Sequence, residues 1–221
     1  MNPQDVEFIF QSYITFEKKL IDIFRVVPFS KENEAAWSPE LVNLFLDASS
    51  LIDSVSRSVL GGSDKLKIDD FEKKLFGGLE LLQSRVVVYI YPLQLITPYQ
   101  NYRDPNGWWT IYNSLKHNRI QNYNKANMGN TLKALAALFL LLVRNKEEEY
   151  SKALFRFDWI DTGIVPEFFH EERSGEPWSI WYDSELFGTH EIAKNIPEDL
   201  DKINPALTSQ KFRKYFGRFN P

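Results

Sequence analysis

Residues 108–119, WWTIYNSLKHNR, place within a dozen positions several side chains that could transfer protons or bind anions. Histidine exchanges a proton near neutral pH, and lysine or arginine binds phosphate or carboxylate. The candidate catalytic residues are therefore Asn113, Lys116, His117 and Arg119. In this hypothesis His117 transfers protons, Lys116 and Arg119 hold a phosphate, and Asn113 orients its neighbours by hydrogen bonding.

The helical spacing of these residues limits how they can meet. At 100° per residue, Trp109, Asn113 and His117 lie one turn apart on one line of a helix, whereas Arg119 lies roughly 160° from His117. Arg119 and His117 therefore converge only if the helix ends between them. The candidate substrate-binding residues are Trp109, Tyr112 and Arg103. In the alternative interpretation, Asn113 and His117 satisfy buried polar groups between helices while Lys116 and Arg119 reach outward.

Cationic and aromatic residues alternate in two stretches, residues 99–125 and residues 211–219. This mixture suits single-stranded RNA or DNA, because bases stack on aromatic rings and phosphates pair with cations. The net charge of the chain is −4, so any such binding must come from a local patch. The alternative is that the aromatic residues belong to the core and the cations to its rim, which is favoured for residues 211–219.

Several helices are predicted by apolar residues spaced three and four apart. The first covers residues 6–24. The second begins with Ser38 as N-cap and Pro39 at the first helical position, and ends at Gly61 and Gly62. A shorter helix is expected over residues 64–77. The turn DPNG at 104–107 precedes the helix that carries the candidate residues, and a polar joint at 121–130 precedes the apolar helix Leu132–Val143.

Other segments are less regular. Residues 85–91 are β-branched and aromatic and favour a strand, but apolar residues over 79–91 also keep helical spacing, so periodicity leaves both open. The charge run at 144–152 is expected to be a solvated turn. Beyond residue 155 we expect loops with one short strand near residues 178–182, and a short helix within residues 206–221.

These segments indicate a mainly α fold, a bundle of four to five helices with a short β element. We expect residues 1–150 to form the bundle and residues 151–221 an irregular, aromatic-rich extension packed on it. A hydrophobic content of 43% suffices for a sizeable core. The N-terminal MNPQDVEFIF has no signal-peptide pattern, cysteine is absent, and the apolar core of 132–143 is too short to cross a bilayer. A cytoplasmic protein with no membrane partner is expected.

Metal and cofactor chemistry have little support in the sequence. The histidines, at 117, 170 and 190, form no HExxH motif, and no glycine-rich phosphate loop is present. We therefore expect no metal ligands and no cofactor. The carboxylates of Glu17, Asp47 and Asp53 are expected on solvated helix faces.

The run at 108–119 contains W-x-x-Y-N-x-x-K-H-x-R and precedes a Leu/Ala-rich helix. In this it resembles a motif of uncharacterised bacterial proteins, and the arrangement is similar to the HEPN superfamily of small helical domains. Many members are metal-independent ribonucleases of toxin–antitoxin or anti-phage systems that dimerise to build their site. The resemblance implies a prokaryotic defence or toxin–antitoxin type protein that engages RNA, with cleavage as a further expectation, and a homodimer or cognate protein partner.

The family's usual signature is an arginine followed, after four to six residues, by a histidine. Here His117 precedes Arg119, so that signature is not matched residue by residue. The other hypothesis is a non-catalytic helical protein-interaction module, in which the same cluster ties helices together.

Overall fold

The computed structural model describes residues 1–62, 65–90, 93–161 and 180–190, except for the side chain of Asp161. The mainly helical fold is confirmed. These residues contain seven α-helices: α1 Pro3–Val26, α2 Pro39–Val59, α3 Ile68–Phe71, α4 Trp108–His117, α5 Arg119–Asn122, α6 Met128–Val143 and α7 Glu148–Arg156. They also contain an antiparallel sheet of five short strands: β1 Val86–Val88, β2 Gln94–Ile96, β3 Ile160–Asp161, β4 Trp181–Asp183 and β5 Phe187–His190.

The ends of α2 form as predicted. The Ser38 hydroxyl accepts a hydrogen bond from the Leu41 amide at 3.2 Å, and Pro39 follows it. Gly61 and Gly62 adopt φ values of +93° and +74°, the left-handed conformation that ends a helix without steric cost to glycine. Local sequence alone therefore sets both limits of this helix.

Ser38→Ala should lower the free energy of unfolding by about 1 kcal/mol, because it removes the side-chain acceptor at the start of α2. Chemical denaturation monitored by circular dichroism measures this. Ser50→Ala, on the exposed middle of α2, should be neutral or slightly stabilising. Equal losses in the two variants would contradict the capping role of Ser38.

Helix α6 lies at the centre of the molecule. Nearly all its side chains are buried, because α1, α2, α4, α7 and β5 surround it. Its first backbone amides are satisfied by the loop before α2: Met128 N–H donates to the Ala36 carbonyl at 2.8 Å, and Gly129 N–H to the Glu34 carbonyl at 3.0 Å. The predicted buried helix is confirmed, and its start is tied to residues about 90 positions upstream.

Helices α2 and α4 run antiparallel. The Trp109 ring, at the start of α4, lies 6.1 Å from that of Phe71, over which the Arg57 guanidinium sits at the end of α2. At the other end of α4, Lys116 lies 3.8 Å from Asp53. Just beyond it, Arg119 donates to Asn43, near the start of α2.

The strand alternative for residues 85–91 is confirmed over β1. Val87 pairs with Leu95 of β2 on one side and with Gly188 of β5 on the other, in the strand order β2-β1-β5-β4-β3. Tyr91 and Pro92 lie outside the described residues. The helix predicted over 64–77 is present as the short α3 and a following π turn over residues 72–76.

Two predictions for the later part of the chain need correction. The charge run at 144–152 is not a solvated turn, because it contains the first half of α7, which buries Tyr150, Ala153 and Leu154. The extension is also less irregular than expected, since β3, β4 and β5 join the same sheet as β1. The strand predicted near 178–182 begins at Trp181. Residues 162–179 and 191–221, including the predicted final helix, lie outside the described residues, and the predicted boundary at residue 150 falls inside α7.

Across the described ranges, no single helix is both long and apolar enough to cross a membrane. The segment Arg119–Lys125 and helix α6 reach that length and composition only together, and they are bent by 85° relative to each other.

Candidate nucleic-acid interface

The start of α4 is held by a braced turn. The Gly107 amide donates to the Asp104 carbonyl at 2.8 Å, and the Asp104 amide to that of Asn101 at 3.0 Å. The Trp108 indole N–H donates to the Pro98 carbonyl at 2.9 Å. These bonds explain why DPNG launches a helix, and they position the whole run of candidate residues against α6.

The first two turns of α4 belong to the core. Trp109 and Tyr112 are buried, and the Trp109 ring packs edge-on against Phe71. The Asn113 side-chain amide donates to the Trp109 carbonyl of the preceding turn at 3.0 Å and is half-buried. The buried rings of Trp109 and Tyr112 therefore lack the free faces that stacking on a substrate requires.

The three cationic or titratable candidates lie at or just beyond the other end of α4, but Lys116 reaches Asp53 and Arg119 reaches Asn43, which are ten residues and about 15 Å apart on α2. The helix ends at His117, and Asn118 is extended with φ −150°, so the chain turns before Arg119. Lys116, His117 and Arg119 are all exposed. The Lys116 ammonium lies 4.9 Å from the centre of the Tyr112 ring, and it shares Asp53 with Arg57. Of the two described histidines His117 is the exposed one, since His190 in β5 is buried.

Arg103 does not join this group. It precedes α4, whose ten residues separate it from His117 by about 15 Å. Its guanidinium pairs with Asp69 at 2.6 Å and with Glu72 at 3.0 Å, and the Tyr102 hydroxyl donates to Glu72 at 2.8 Å. The hydrogen bonds from Tyr102 and Arg103 hold the pKa of Glu72 below its usual range. Arg103 therefore fastens the loop before α4 to α3.

Beside Arg119 lies an exposed apolar and aromatic surface that sequence analysis found only in part. The rings of Trp37 and Tyr123 are 4.5 Å apart and tilted by 59°, with 48% and 40% of their residues' surface exposed. Ile120 is 85% exposed. We call this surface the basic–aromatic face and define it by Trp37, Arg119, Ile120, Tyr123 and Lys125. Six aromatic residues between positions 99 and 123 were predicted to offer stacking surfaces, and of these only Tyr123 is exposed.

Trp37 gave no functional signal in the sequence, since it stands between an acidic loop and the α2 cap. The hydrogen bond from the Met128 amide to the Ala36 carbonyl places it beside residues 119–125. That contact depends on the tertiary fold, so local sequence could not reveal it.

All residues of the face except Trp37 lie within a segment of the sequence that contains no acidic residue. Residues 105–146 contain six lysines and arginines and no aspartate or glutamate, in a chain whose net charge is −4. The segment includes α4, α5 and α6, so its exposed cations project from consecutive elements. Lys116 and Lys133 each have an acidic partner at 3.8 Å, Asp53 and Glu34, so Arg119, Lys125 and Lys146 are the exposed cations of this segment without a described acidic partner.

An open cleft of about 480 Å³ lies at the start of α4, between the 97–107 loop and the first turns of α6. Its lining is polar and apolar in about equal parts: the polar residues are Thr97, Gln100, Asn101, Asp104, Asn106, Asn130 and Lys133, and Tyr102 and Trp108 are among the others. The Asn130 side-chain amide donates to the Lys125 carbonyl at 2.9 Å, so the cleft adjoins the basic–aromatic face.

A second polar cluster surrounds Glu17, and here the expectation of a solvated face was wrong. Glu17 is 3% exposed. Its carboxylate accepts from the Tyr13 hydroxyl at 2.9 Å, the Leu186 amide at 2.9 Å, the Glu185 amide at 3.3 Å and the Ser184 hydroxyl. It therefore joins α1 to the β4–β5 hairpin. Burial raises its pKa to about 7, although the hydrogen bonds act in the opposite direction.

Within the described residues, no three histidine, aspartate or glutamate side chains are grouped as metal ligands would be. No protein family, no curated protein and no solved structure was found to match this chain.

Proposed function

We propose that the protein binds single-stranded RNA through the basic–aromatic face. The observation that carries this proposal is the exposed Trp37–Tyr123 pair, which adjoins Arg119 and Lys125 inside the acid-free segment 105–146. Exposed rings offer stacking surfaces to unpaired bases, and the neighbouring cations pair with phosphates. The acidic chain as a whole repels a polyanion, so contact is confined to this face.

Single strands fit this face better than duplexes do. Stacking on Trp37 or Tyr123 requires bases that are free of partners, as in loops and strand ends. Each stacked base contributes roughly 1–3 kcal/mol with little dependence on sequence. The few exposed cations give a modest electrostatic contribution, so stacking is expected to supply a large part of the affinity.

Cleavage is a further element of the proposal, carried by the exposed imidazole of His117 between Lys116 and Arg119. His117 would take the proton of a ribose 2′-hydroxyl while the 2′ oxygen attacks the adjacent phosphorus. The bond from phosphorus to the 5′ oxygen breaks, that oxygen takes a proton from water, and a 2′,3′-cyclic phosphate remains. For the two cations to hold the phosphate oxygens, Lys116 would exchange Asp53, and Arg119 would exchange Asn43, for the phosphate.

A second candidate function is a non-catalytic module that binds another protein. Ile120 favours it, because an exposed isoleucine beside two exposed aromatic rings is typical of protein interfaces and adds little to phosphate binding. In this function the cations of the face form the rim of the interface.

Trp37→Ala and Tyr123→Ala should each weaken binding of a fluorescent ten-nucleotide oligouridylate about tenfold, since each removes one stacking surface worth about 1.4 kcal/mol. Fluorescence anisotropy at fixed salt measures the change. Phe8→Ala is the matched control, because Phe8 is an exposed aromatic residue on α1. RNA binding that responds equally to all three variants, or no binding by the wild type, would overturn the proposal and leave the protein-interaction module.

Incubating the wild type and His117→Ala with labelled RNA in EDTA tests the cleavage step separately. We expect the wild type to release a 2′,3′-cyclic phosphate end and the variant to bind equally well without cleaving. Binding without cleavage by the wild type would retain the RNA-binding function and exclude His117 as a base.

A further inference from the structure

We infer that the cleft at the start of α4 binds one adenine ribonucleotide unit. This deepens the proposed function and rests on it, because the cleft adjoins the basic–aromatic face through the Asn130–Lys125 hydrogen bond. A strand that stacks on Tyr123 would thereby reach the cleft with a neighbouring nucleotide.

The size of the cleft suits such a ligand. Its volume of about 480 Å³ lies within the range of small-molecule sites and exceeds what a few water molecules need. Tyr102 and Trp108 belong to its lining and are themselves buried, so its walls include side chains fixed by the core.

The loop that shapes the cleft is held rigidly. Asn101 adopts the left-handed conformation with φ +57°, which asparagine tolerates better than most residues. The Thr110 hydroxyl donates to the Arg103 carbonyl at 2.8 Å, and Arg103 itself is clamped by Asp69 and Glu72. A preorganised loop lowers the entropic cost of binding.

Three kinds of lining group match three parts of a ribonucleotide. The side-chain amides of Gln100, Asn101 and Asn106 make no hydrogen bond to any described residue, and asparagine or glutamine can read the N6 and N7 edge of adenine in two hydrogen bonds. The Asp104 carboxylate can accept from ribose hydroxyls.

The third group is Lys133, which can pair with the phosphate. Its ion pair with Glu34 is long, at 3.8 Å, and both side chains are about half exposed. Such a pair contributes little to stability, so Lys133 can exchange Glu34 for a phosphate at little cost. The cleft thus has amides that can bind the base, a carboxylate that can bind the ribose and an ammonium group that can bind the phosphate.

Isothermal titration with adenosine 5′-monophosphate tests the cleft without RNA. We expect one molecule to bind per chain, about tenfold more tightly than uridine 5′-monophosphate or 2′-deoxyadenosine 5′-monophosphate. Asn106→Ala and Lys133→Ala should each weaken this binding about tenfold. Gln11→Ala and Lys19→Ala, exposed residues of α1, are the matched controls. Equal binding of all nucleotides, or no effect of the cleft variants, would overturn the inference.

A second arm distinguishes a free nucleotide from one within RNA. Preference for oligoadenylate over oligouridylate, abolished by Asn106→Ala, would assign the cleft to the bound strand. Binding of the mononucleotide without such a preference would assign it to the free ligand. If Trp37→Ala weakens RNA binding while neither adenine arm responds, this inference fails and the RNA-binding function stands. If RNA does not bind but adenosine 5′-monophosphate does, the proposed function fails and the cleft is a site for the free nucleotide; if neither binds, both proposals fail.

Discussion

Replacing Gly107 by alanine is expected to lower the free energy of unfolding by about 3 kcal/mol and the Tm by about 10 °C. A Cβ at this position would lie 2.3 Å from the Tyr102 carbonyl oxygen and 2.4 Å from that of Asn101. Both contacts are with backbone atoms, which cannot turn away as a side chain can. The φ of Gly107 is −73°, so the cost comes from this close approach and not from backbone strain.

The surrounding hydrogen bonds prevent an easy adjustment. The Tyr102 carbonyl accepts from the Trp109 amide at 3.0 Å, and the Gly107 amide donates to the Asp104 carbonyl. Moving the loop would break the bonds that start α4. Gly78→Ala is the control, because its Cβ would meet only the Leu75 carbonyl at an ordinary 3.6 Å. Thermal unfolding of both variants measures the difference, and equal Tm values would contradict the role of Gly107 in the loop.

Glu17 should make the stability of the protein depend on pH. Its pKa is about 7 in the folded state and 4.5 when unperturbed. Between these values the folded state binds more protons than the unfolded state, so stability falls as pH rises. The contribution of Glu17 is fully present below pH 4.5 and is lost as pH rises through 7. The total loss is about 3 kcal/mol.

Glu17→Gln isolates this effect, because other carboxylates titrate in both proteins. Glutamine keeps an acceptor for the Leu186 amide and does not ionise. The stability of the wild type relative to this variant should therefore decrease between pH 4.5 and 7 and then remain level. Tyr13→Phe should extend the decrease to higher pH, since the Tyr13 hydroxyl lowers the pKa of Glu17. Parallel stability profiles for wild type and Glu17→Gln, measured by urea unfolding, would contradict the assignment.

The elements that were predicted correctly are those whose signals are local. The Ser38 cap, the paired glycines after α2 and the apolar run of α6 depend on short sequence patterns, and all are present. The strand at 86–88 could not be separated from a helix by periodicity. Its place was decided by pairing with β5, about 100 residues away.

The burial of Glu17 had a signal that its charge concealed. Residues 6, 10, 13, 17, 20 and 24 follow alternating spacings of four and three, so position 17 belongs to the buried stripe of α1. The hairpin that satisfies its carboxylate comes from the far end of the chain. The sequence pattern therefore indicated that position 17 is buried, but it did not reveal the hairpin that binds the Glu17 carboxylate.

The candidate residues were found only in part for the same reason. Lys116, His117 and Arg119 are all exposed at or just past the end of α4, but Lys116 and Arg119 pair with α2 residues ten positions apart, Asp53 and Asn43. Trp109 and Tyr112 had the composition of a stacking surface but are buried. Trp37 supplies an exposed ring, placed by a hydrogen bond between distant parts of the chain.

Photo-crosslinking to a 4-thiouridine-labelled single-stranded RNA, with the attached peptides identified by mass spectrometry, tests the proposed binding face most directly. We expect crosslinks at Tyr123 and Trp37, reduced by excess unlabelled RNA and nearly absent with duplex RNA. Crosslinks on α1 or α7 in place of these residues, or none above a duplex control, would contradict RNA binding at the basic–aromatic face.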